Sequence, residues 1–361
     1  MKIILHVSGN IFSSTINISD HTFKIWNELS TEFDEYHILA RADDNKFHFT
    51  KYNNIFLHLV PKLSQSSSSF MLSSFYSFVL IYKYHINLVL LQSSIVGAPA
   101  LVLAKKLFHF KILTEIHGDD YFYRFEHNFL FRLIRNWTFR NSYKIRSLSP
   151  KMTLELNKIG FFDNIFEVYN RVDLKLFFPP KNDFAINNIV NIVSVGRFCN
   201  AKNYEFILNN LNCFNFDFHL TLIGGGPNRS NYVNILSNSI HESQVTLIDW
   251  VDQRQLVDIL RNADIYIQSS ISEGVPRTII EAMGMKLPIV STNVGLIDGI
   301  LLDGYNSLLS KPNSLDFFTC INKLVVDKSL RSYLAGNAYH DALTKFEWNI
   351  AFKSYKDFLR V

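Results

Sequence analysis

Two glutamates in one short stretch, Ser272-Glu273-Gly274-Val275-Pro276-Arg277-Thr278-Ile279-Ile280-Glu281, are the natural place to begin. A helical pattern starts at Pro276, and proline suits the first helical position because no N–H is needed there. The amides of Arg277, Thr278 and Ile279 are then unpaired donors at a helix N-terminus, an arrangement that attracts phosphate. Glu273 falls on the loop before the helix and Glu281 more than a turn inside it. The acids can therefore meet opposite ends of a long ligand with a diphosphate between them. Two solvated surface acids are the plainer reading, but the Gly-x-Pro between them and the buried-strand pattern just upstream argue against it.

A departing diphosphate needs compensating charge. Arg197 and Lys202 sit just beyond an apolar strand, where open α/β sheets bind their ligands. A guanidinium fork and a point-like ammonium can clamp two phosphates without a metal, each contact lowering a barrier by roughly 3 kcal/mol. The sequence offers no convincing metal-ligand cluster. Asp119-Asp120 is a lone acidic pair that reads as a solvated loop. His117 follows a strand pattern and precedes Gly118, whose missing side chain allows close backbone approach to a ligand. An ordinary loop histidine is the alternative. Gly224-Gly225-Gly226-Pro227 lacks the spacing and the acidic ribose reader of a dinucleotide fingerprint, and reads as a tight strand-to-helix turn.

These residues need a scaffold. The chain has 361 residues, 48% hydrophobic and 19% charged, which suits two globular domains. Apolar runs alternate with helix-length segments: Lys2–Val7, Tyr36–Ala40, Ile55–Val60, Asn87–Leu91, Lys111–Glu115, Tyr143–Arg146 and Ile165–Val168, then Ile189–Val195, Phe218–Ile223, Val245–Ile248, Ile265–Gln268 and Pro288–Ser291. That alternation predicts an α/β protein with parallel sheets covered on both faces. Pro179, Pro180 and the polar stretch after them suggest a linker. The expected domains are residues 1–178 and 179–345, with 346–361 an amphipathic C-terminal helix.

The three cysteines, Cys199, Cys213 and Cys320, form no CxxC pair and fit a reducing cytoplasm better than a disulfide framework. The first strand is too short for a signal-peptide core. Phe70–Leu91, the longest apolar stretch, is broken by Lys83, His85 and Asn87, so no membrane-spanning helix is expected. The net charge of +4 comes from the N-terminal half. No nucleic-acid motif accompanies it, and a basic face toward anionic lipid fits better. Tyr121–Arg146 mixes aromatics with arginines. It suits either a membrane-surface helix or a core helix with a basic outer face.

Taken together the motifs resemble the retaining glycosyltransferase family 4. Glu273 to Glu281 matches its E-x7-E motif, and Ser194-Val-Gly-Arg197-Phe-Cys-Asn-Ala-Lys202 its V-G-R-x4-K segment. Leu222-Ile-Gly-Gly-Gly-Pro227 resembles its I-G-x-G-P turn, Thr292-Asn-Val-Gly295 and Asp303-Gly-Tyr-Asn306 its closing segments. Thr114-Glu-Ile-His117-Gly118 resembles its H-G motif, and Asn170-Arg-Val-Asp173 its N-G-V-D. The likeness is collinear over most of the chain. It implies the GT-B fold, two Rossmann-like domains facing each other across a cleft. It also implies transfer of a hexose from a UDP- or GDP-sugar, with anomeric retention and no metal, to a glycan or lipid-linked acceptor. Bacterial surface polysaccharide synthesis is the usual setting.

By the same resemblance His117, Arg197, Lys202 and Glu273 are catalytic, His117 meeting the sugar or its phosphate and Glu273 the sugar hydroxyls. Glu281 holds the ribose, and Gly9, Gly118, Gly224, Gly274, Val275, Pro276, Arg277 and Thr278 line the donor. The sequence departs from the family pattern at several glycines. His6-Val-Ser-Gly9-Asn has one glycine where two are usual, Arg171 and Asn203 stand in for glycine, and so does Lys286. Gly299 replaces a frequent glutamate. Two other functions share this fold expectation: a sugar-nucleotide epimerase and a non-catalytic assembly partner. The combined glutamate and cation pattern argues against both.

Overall fold

The computed structural model describes residues 1–15, 21–64, 70–118, 127–180 and 184–361. The chain divides into two compact units. Unit 1 is Met1–Val168 with Ser354–Val361, and unit 2 is Tyr169–Lys353.

Unit 1 runs β1 (Ile3–Phe12), α1 (His21–Ser30), β2 (Glu35–Ala42), β3 (His48–Tyr52), β4 (Ile55–Pro61), α2 (Phe70–Ser73), α3 (Tyr76–Tyr84), β5 (Leu88–Leu91), α4 (Ala98–Leu107), β6 (Lys111–Glu115), α5 (Phe129–Asn141), β7 (Lys144–Ser147), α6 (Pro150–Lys158) and β8 (Ile165–Glu167). Its sheet has the order β3-β4-β2-β1-β5-β6-β7-β8. β1, β5 and β6 are nearly continuous apolar runs buried on both faces, as parallel strands between helix layers must be. Ile3, Leu5, Val7, Val89, Leu91 and Ile112 pack with Leu80 of α3 and Leu101 of α4 in one core. α3, α4 and α5 are neighbours in one layer over the sheet.

Three expectations need correction in this unit. The sheet is not wholly parallel, because β3 pairs antiparallel with β4 as an edge hairpin turning at Asn53, whose φ is 50°. Its alternating half-exposed pattern, short and polar, gave no apolar run to detect. β1 extends to Phe12 rather than stopping at Val7, through a register irregularity between Val7 and Ile11. Gly9 therefore lies in a bulged strand segment, not in a loop. Finally, the outer face of α5 is mixed rather than simply basic: the helix buries Arg135, Thr138 and Phe139 and exposes Phe129, Leu130 and Leu133 together with Arg140.

Unit 2 runs β9 (Val190–Val195), α7 (Tyr204–Leu208), β10 (Phe218–Ile223), α8 (Arg229–Ser237), β11 (Val245–Ile248), α9 (Gln253–Arg261), β12 (Ile265–Gln268), α10 (Arg277–Gly284), β13 (Ile289–Thr292), β14 (Leu308–Ser310), α11 (Asp316–Val326) and α12 (Lys328–Asp341). A last helix, α13 (Trp348–Leu359), begins in unit 2 and ends in unit 1. The sheet order is β11-β10-β9-β12-β13-β14, every pair parallel. β14 had too short an apolar run to be anticipated. Local chemistry sets the helix starts: Asp252 and Gln255 form a reciprocal capping box on α9, and Asp327 caps α12. Ile192, Leu220, Leu222, Ile265, Ile267 and Val290 supply the strand side of the core.

Strand order reverses between β9 and β12, since β9 pairs with β10 on one side and β12 on the other. Loops at the carboxyl ends of two such strands diverge and leave a crevice. In unit 2 those loops are Gly196–Lys202 and Ser269–Gly274. In unit 1 the reversal lies between β1 and β5.

Candidate functional site

The first loop of unit 2 leaves β9 at Gly196 and passes Arg197 to a 3₁₀ turn, Asn200–Lys202. Lys202 folds back over Gly196, so a Cβ at that glycine would lie 2.8 Å from the lysine Cε. Its ammonium forms an ion pair with Glu273 on the second loop. Glu273 is buried and also accepts a hydrogen bond from Ser270 Oγ at 2.5 Å. The loops are stitched by backbone and hydroxyl contacts: Ile271 N–H donates to Ala201 O at 2.9 Å, and Ser269 Oγ to Lys202 O at 3.0 Å. Sequence reading picked out neither serine, because a hydroxyl that braces a loop has no signature in spacing.

Arg197, by contrast, is exposed, and among the described residues it makes no ion pair. One cation of the pair is thus held in place by an acid, and the other is open to an incoming anion.

Beneath these loops lies the glycine turn. A Cβ on Gly224, at φ 141°, would sit 2.2 Å from Gly196 O, and one on Gly226 2.3 Å from Phe198 O. Only glycine permits backbones this close. Phe198 N–H donates to Gly225 O and Asn228 N–H to Phe198 O, both at 3.0 Å, so the turn fixes the path of the Arg197 loop from below. Gly225 also abuts the Trp250 indole.

α10 begins one residue later than expected. Pro276 has ψ 127° and is the N-cap, so Arg277 is the first helical residue. Its extended ψ turns the chain into the helix and leaves the first amides of α10 at the loop. Val275 is buried, and its carbonyl accepts from Asn170 Nδ2 at 2.9 Å. Leu296 N–H donates to Glu273 O at 3.0 Å, so the segment between the two glutamates is braced from both sides. Gly274 and Thr278 are half-buried, and Arg277 is exposed.

Glu281, half-buried and one turn into α10, has its pKa pushed up to about 7 by burial, against a smaller lowering by Arg277. The fully buried Tyr266, from β12, has its phenol raised by burial and, to a lesser degree, by both Glu273 and Glu281. Tyr266 thus lies near both acids, a role its place inside an apolar strand run gave no sign of. Two positions at which the resemblance leads one to expect glycine are also visible as geometry. Asn203 has φ 54° and Lys286 φ 57°, the left-handed region that favours glycine.

In unit 1, Gly9 lies in the bulged part of β1 and His117 just beyond the end of β6. Arg41 Nε donates to Gly9 O at 2.7 Å. Gly118 is half-buried, His117 is 44% exposed at its side chain, and its Nε2 lies 3.3 Å from Glu115 Oε2. Asp119, Asp120 and the aromatic-basic start of 121–146, through residue 126, lie outside the described residues. Among the described residues no group of three His, Cys, Asp or Glu is placed to hold a metal. No helix among them is long and apolar enough to cross a membrane. A cavity of about 720 Å³ in unit 1, lined by Phe33, Phe108, Lys105 and Lys111, lies at the amino ends of β1, β5 and β6. That is the opposite edge from the one where α/β sheets bind ligands.

Residues 182–341 match the family model of "Glycosyl transferases group 1". Over 326 residues, 87% of this chain and 86% of the other, the sequence is 25% identical to the uncharacterized glycosyltransferase MJ1178 of Methanocaldococcus jannaschii. The chain is an enzyme of the glycosyltransferase class. This glycosyltransferase is also 25% identical to the lipopolysaccharide core biosynthesis glycosyltransferase LpsE of Rhizobium meliloti over 156 residues, 43% of this chain and 45% of LpsE. Its fold is GT-B. The crystal structure of Anabaena Alr3699/HepE in complex with UDP matches it with a TM-score of 0.77 over 99% of both chains at 16% identity.

Proposed function

We propose that this glycosyltransferase moves a hexose from a UDP- or GDP-sugar to a glycan or lipid-linked acceptor, with retention at the anomeric carbon. The observation that carries the reading is the pairing of Lys202 with Glu273 between the loops that follow β9 and β12, with Arg197 exposed on the first loop and the amino end of α10 following the second. The donor's diphosphate lies against Arg197, Lys202 and the first amides of α10. Glu273 accepts from the sugar hydroxyls, and Glu281 from the ribose. A relative in the same fold crystallised with UDP supports a nucleoside diphosphate donor.

The bond from the anomeric carbon to the diphosphate breaks as the acceptor oxygen attacks the same face. The leaving phosphate oxygen takes the acceptor's proton. The two cations offset the charge that grows on the diphosphate, so the residues fit catalysis without a metal. LpsE, named for lipopolysaccharide core biosynthesis, supports a role in bacterial surface polysaccharide, and the three free cysteines suit the cytoplasmic side of the membrane.

A lipid-linked acceptor also fits the outer surface of the α3–α5 layer. α3 exposes Val79 and Tyr82, α4 exposes Leu103 and Leu107, and α5 exposes Phe129, Leu130 and Leu133. No Asp or Glu occurs from Asn45 to Thr114 or from His127 to Leu154. Three helices that expose apolar side chains and carry lysines and arginines but no acid are what anionic lipid attracts.

A thermal-shift panel of UDP- and GDP-sugars tests the donor. A ligand at about 100 times its Kd stabilises the fold by roughly 2.7 kcal/mol. No shift with any of them overturns the reading. NMR of the product then reads the anomer, and incubation with donor alone separates transfer from epimerisation. Co-sedimentation with anionic against neutral vesicles tests the lipid face.

A further inference from the structure

The most completely buried charge in unit 1 has no part in the reading above. Glu115, the last residue of β6, is fully buried, and its in-register partner on β7 is Arg146, itself 2% exposed. Arg146 Nη1 donates to Glu115 Oε1 at 2.7 Å, and its Nε to Val168 O at 3.0 Å. A third group comes from the far end of the sequence. Tyr355 of α13 donates its hydroxyl to the same Glu115 oxygen at 2.5 Å, and its ring lies 4.4 Å from the Arg146 guanidinium. Burial alone would raise the Glu115 pKa. Burial is the largest single influence, but Arg146 and the hydrogen bond and charge of His117 together outweigh it, and the carboxyl is held well below the usual range.

This arrangement leaves one oxygen for one purpose. Oε1 is taken by Arg146 and Tyr355, while Oε2 faces His117 Nε2 at 3.3 Å. The neighbouring histidine does not compete for it. His6, buried on β1, bonds Tyr36 through Nδ1 at 2.7 Å and is kept neutral, with its pKa lowered to about 4 by burial. A permanent carboxylate behind an imidazole selects the tautomer that carries its proton on the facing nitrogen, and it fixes the ring plane. Nδ1 of His117 is then turned away from Glu115 on a side chain that solvent reaches.

We propose that Glu115 is the positioning residue for His117, holding it as the Nε2–H tautomer with Nδ1 left as an outward-facing acceptor, and that Tyr355 fixes Glu115 for this role. The inference rests on the reading of His117 as a donor contact. Its structural half can be tested apart from that reading.

Nitrogen-15 ring spectra of the full-length enzyme read the tautomer directly, with His117→Ala assigning the signal. The expected result is a His117 ring protonated at Nε2 at neutral pH, and a mixture of tautomers in Glu115→Gln. An unchanged tautomer in that variant overturns the proposal, whatever His117 does in catalysis. In kinetics, Glu115→Gln is expected to lower kcat by about 10–100-fold, the size of loss seen when the carboxylate behind a metal-bound histidine is removed. It should cost nothing further in the His117→Ala background. Equal losses in both backgrounds make Glu115 merely structural and also overturn the proposal. If His117→Ala itself is silent while the tautomer shift is seen, positioning stands and the donor-contact reading falls. Tyr355→Phe keeps the ring on Arg146 and removes one hydrogen bond, so it guards against misfolding of the glutamine variant. A partial tautomer shift with an unchanged Tm is its expected result, and no shift removes Tyr355 from the proposal.

Discussion

Glu115 in unit 1 and Glu273 in unit 2 both stand at or beyond the carboxyl end of a strand, and both meet a cation. Their surroundings differ. Glu115 is sealed, with Arg146 and Tyr355 on one oxygen and His117 on the other. Glu273 holds Lys202 on a loop that solvent reaches, with Arg197 exposed close by in sequence. A buried charge whose partners are all protein groups is suited to fixing geometry. A half-open pair can trade its partner for a ligand at little cost. Unit 2 is also nearly neutral, with 16 Lys and Arg against 17 Asp and Glu, while unit 1 has 20 against 15. The cations of the proposed donor site are therefore a local arrangement rather than part of a basic surface.

The sharpest way to break this contrast is to remove one cation from each unit. Arg146→Ala strands a buried carboxylate and is expected to cost about 3–5 kcal/mol of stability, read by chemical denaturation. A loss under about 1 kcal/mol would mean that Glu115 simply takes up a proton. Lys202→Ala is expected to cost roughly 1 kcal/mol of stability but to lower kcat by about 10²–10³-fold. Glu273→Ala should abolish transfer with the fold intact. If Lys202→Ala unfolds the protein yet leaves turnover in the surviving fraction unchanged, the two pairs play the same structural part.

Gly224→Ala probes the turn beneath the Arg197 loop. Its Cβ would collide with Gly196 O, so a loss of about 2–3 kcal/mol and a weaker donor thermal shift are expected together. A stable variant with normal donor binding would show that the turn does not set the loop.

The smallest effect concerns pH. Glu281 has a folded pKa near 7 against an ordinary value of 4.5. A carboxyl raised in the fold contributes stability that is complete below about pH 4.5 and lost as pH rises through about 7. The same ionisation produces the carboxylate that a ribose would bind. Donor affinity should therefore improve by up to about tenfold from pH 6 to 8 while ligand-free Tm falls. Glu281→Gln should flatten both profiles. A donor affinity that still rises in that variant assigns the effect to another group.

How much of this was legible in sequence follows from the range over which each feature acts. The buried strands of the parallel sheets were readable because burial on both faces forces continuous apolar runs, and β6, β10, β11 and β12 fall on the expected residues. Lys202 and Glu273 were readable as members of two motifs, each written in a few consecutive residues, but the ion pair that joins them was not. β3 was not, because an edge strand with one solvated face carries no such run. Arg135 turned inward on a helix whose leucines face outward, and periodicity could not say which face was which. The contact between Glu115 and Tyr355 spans 240 positions, and neither residue stands in a motif that refers to the other.

That contact bears on how the chain is made. Unit 1 is discontinuous, its first 168 residues being completed by the stretch from Ser354 onward. During synthesis the Glu115 pocket therefore waits for Tyr355, and the half that leaves the ribosome first is finished only after the half that leaves second. A nonsense codon just ahead of Ser354 would accordingly injure the earliest part of the protein, and an isolated 1–168 fragment would need its tail grafted on by circular permutation before it could be studied alone.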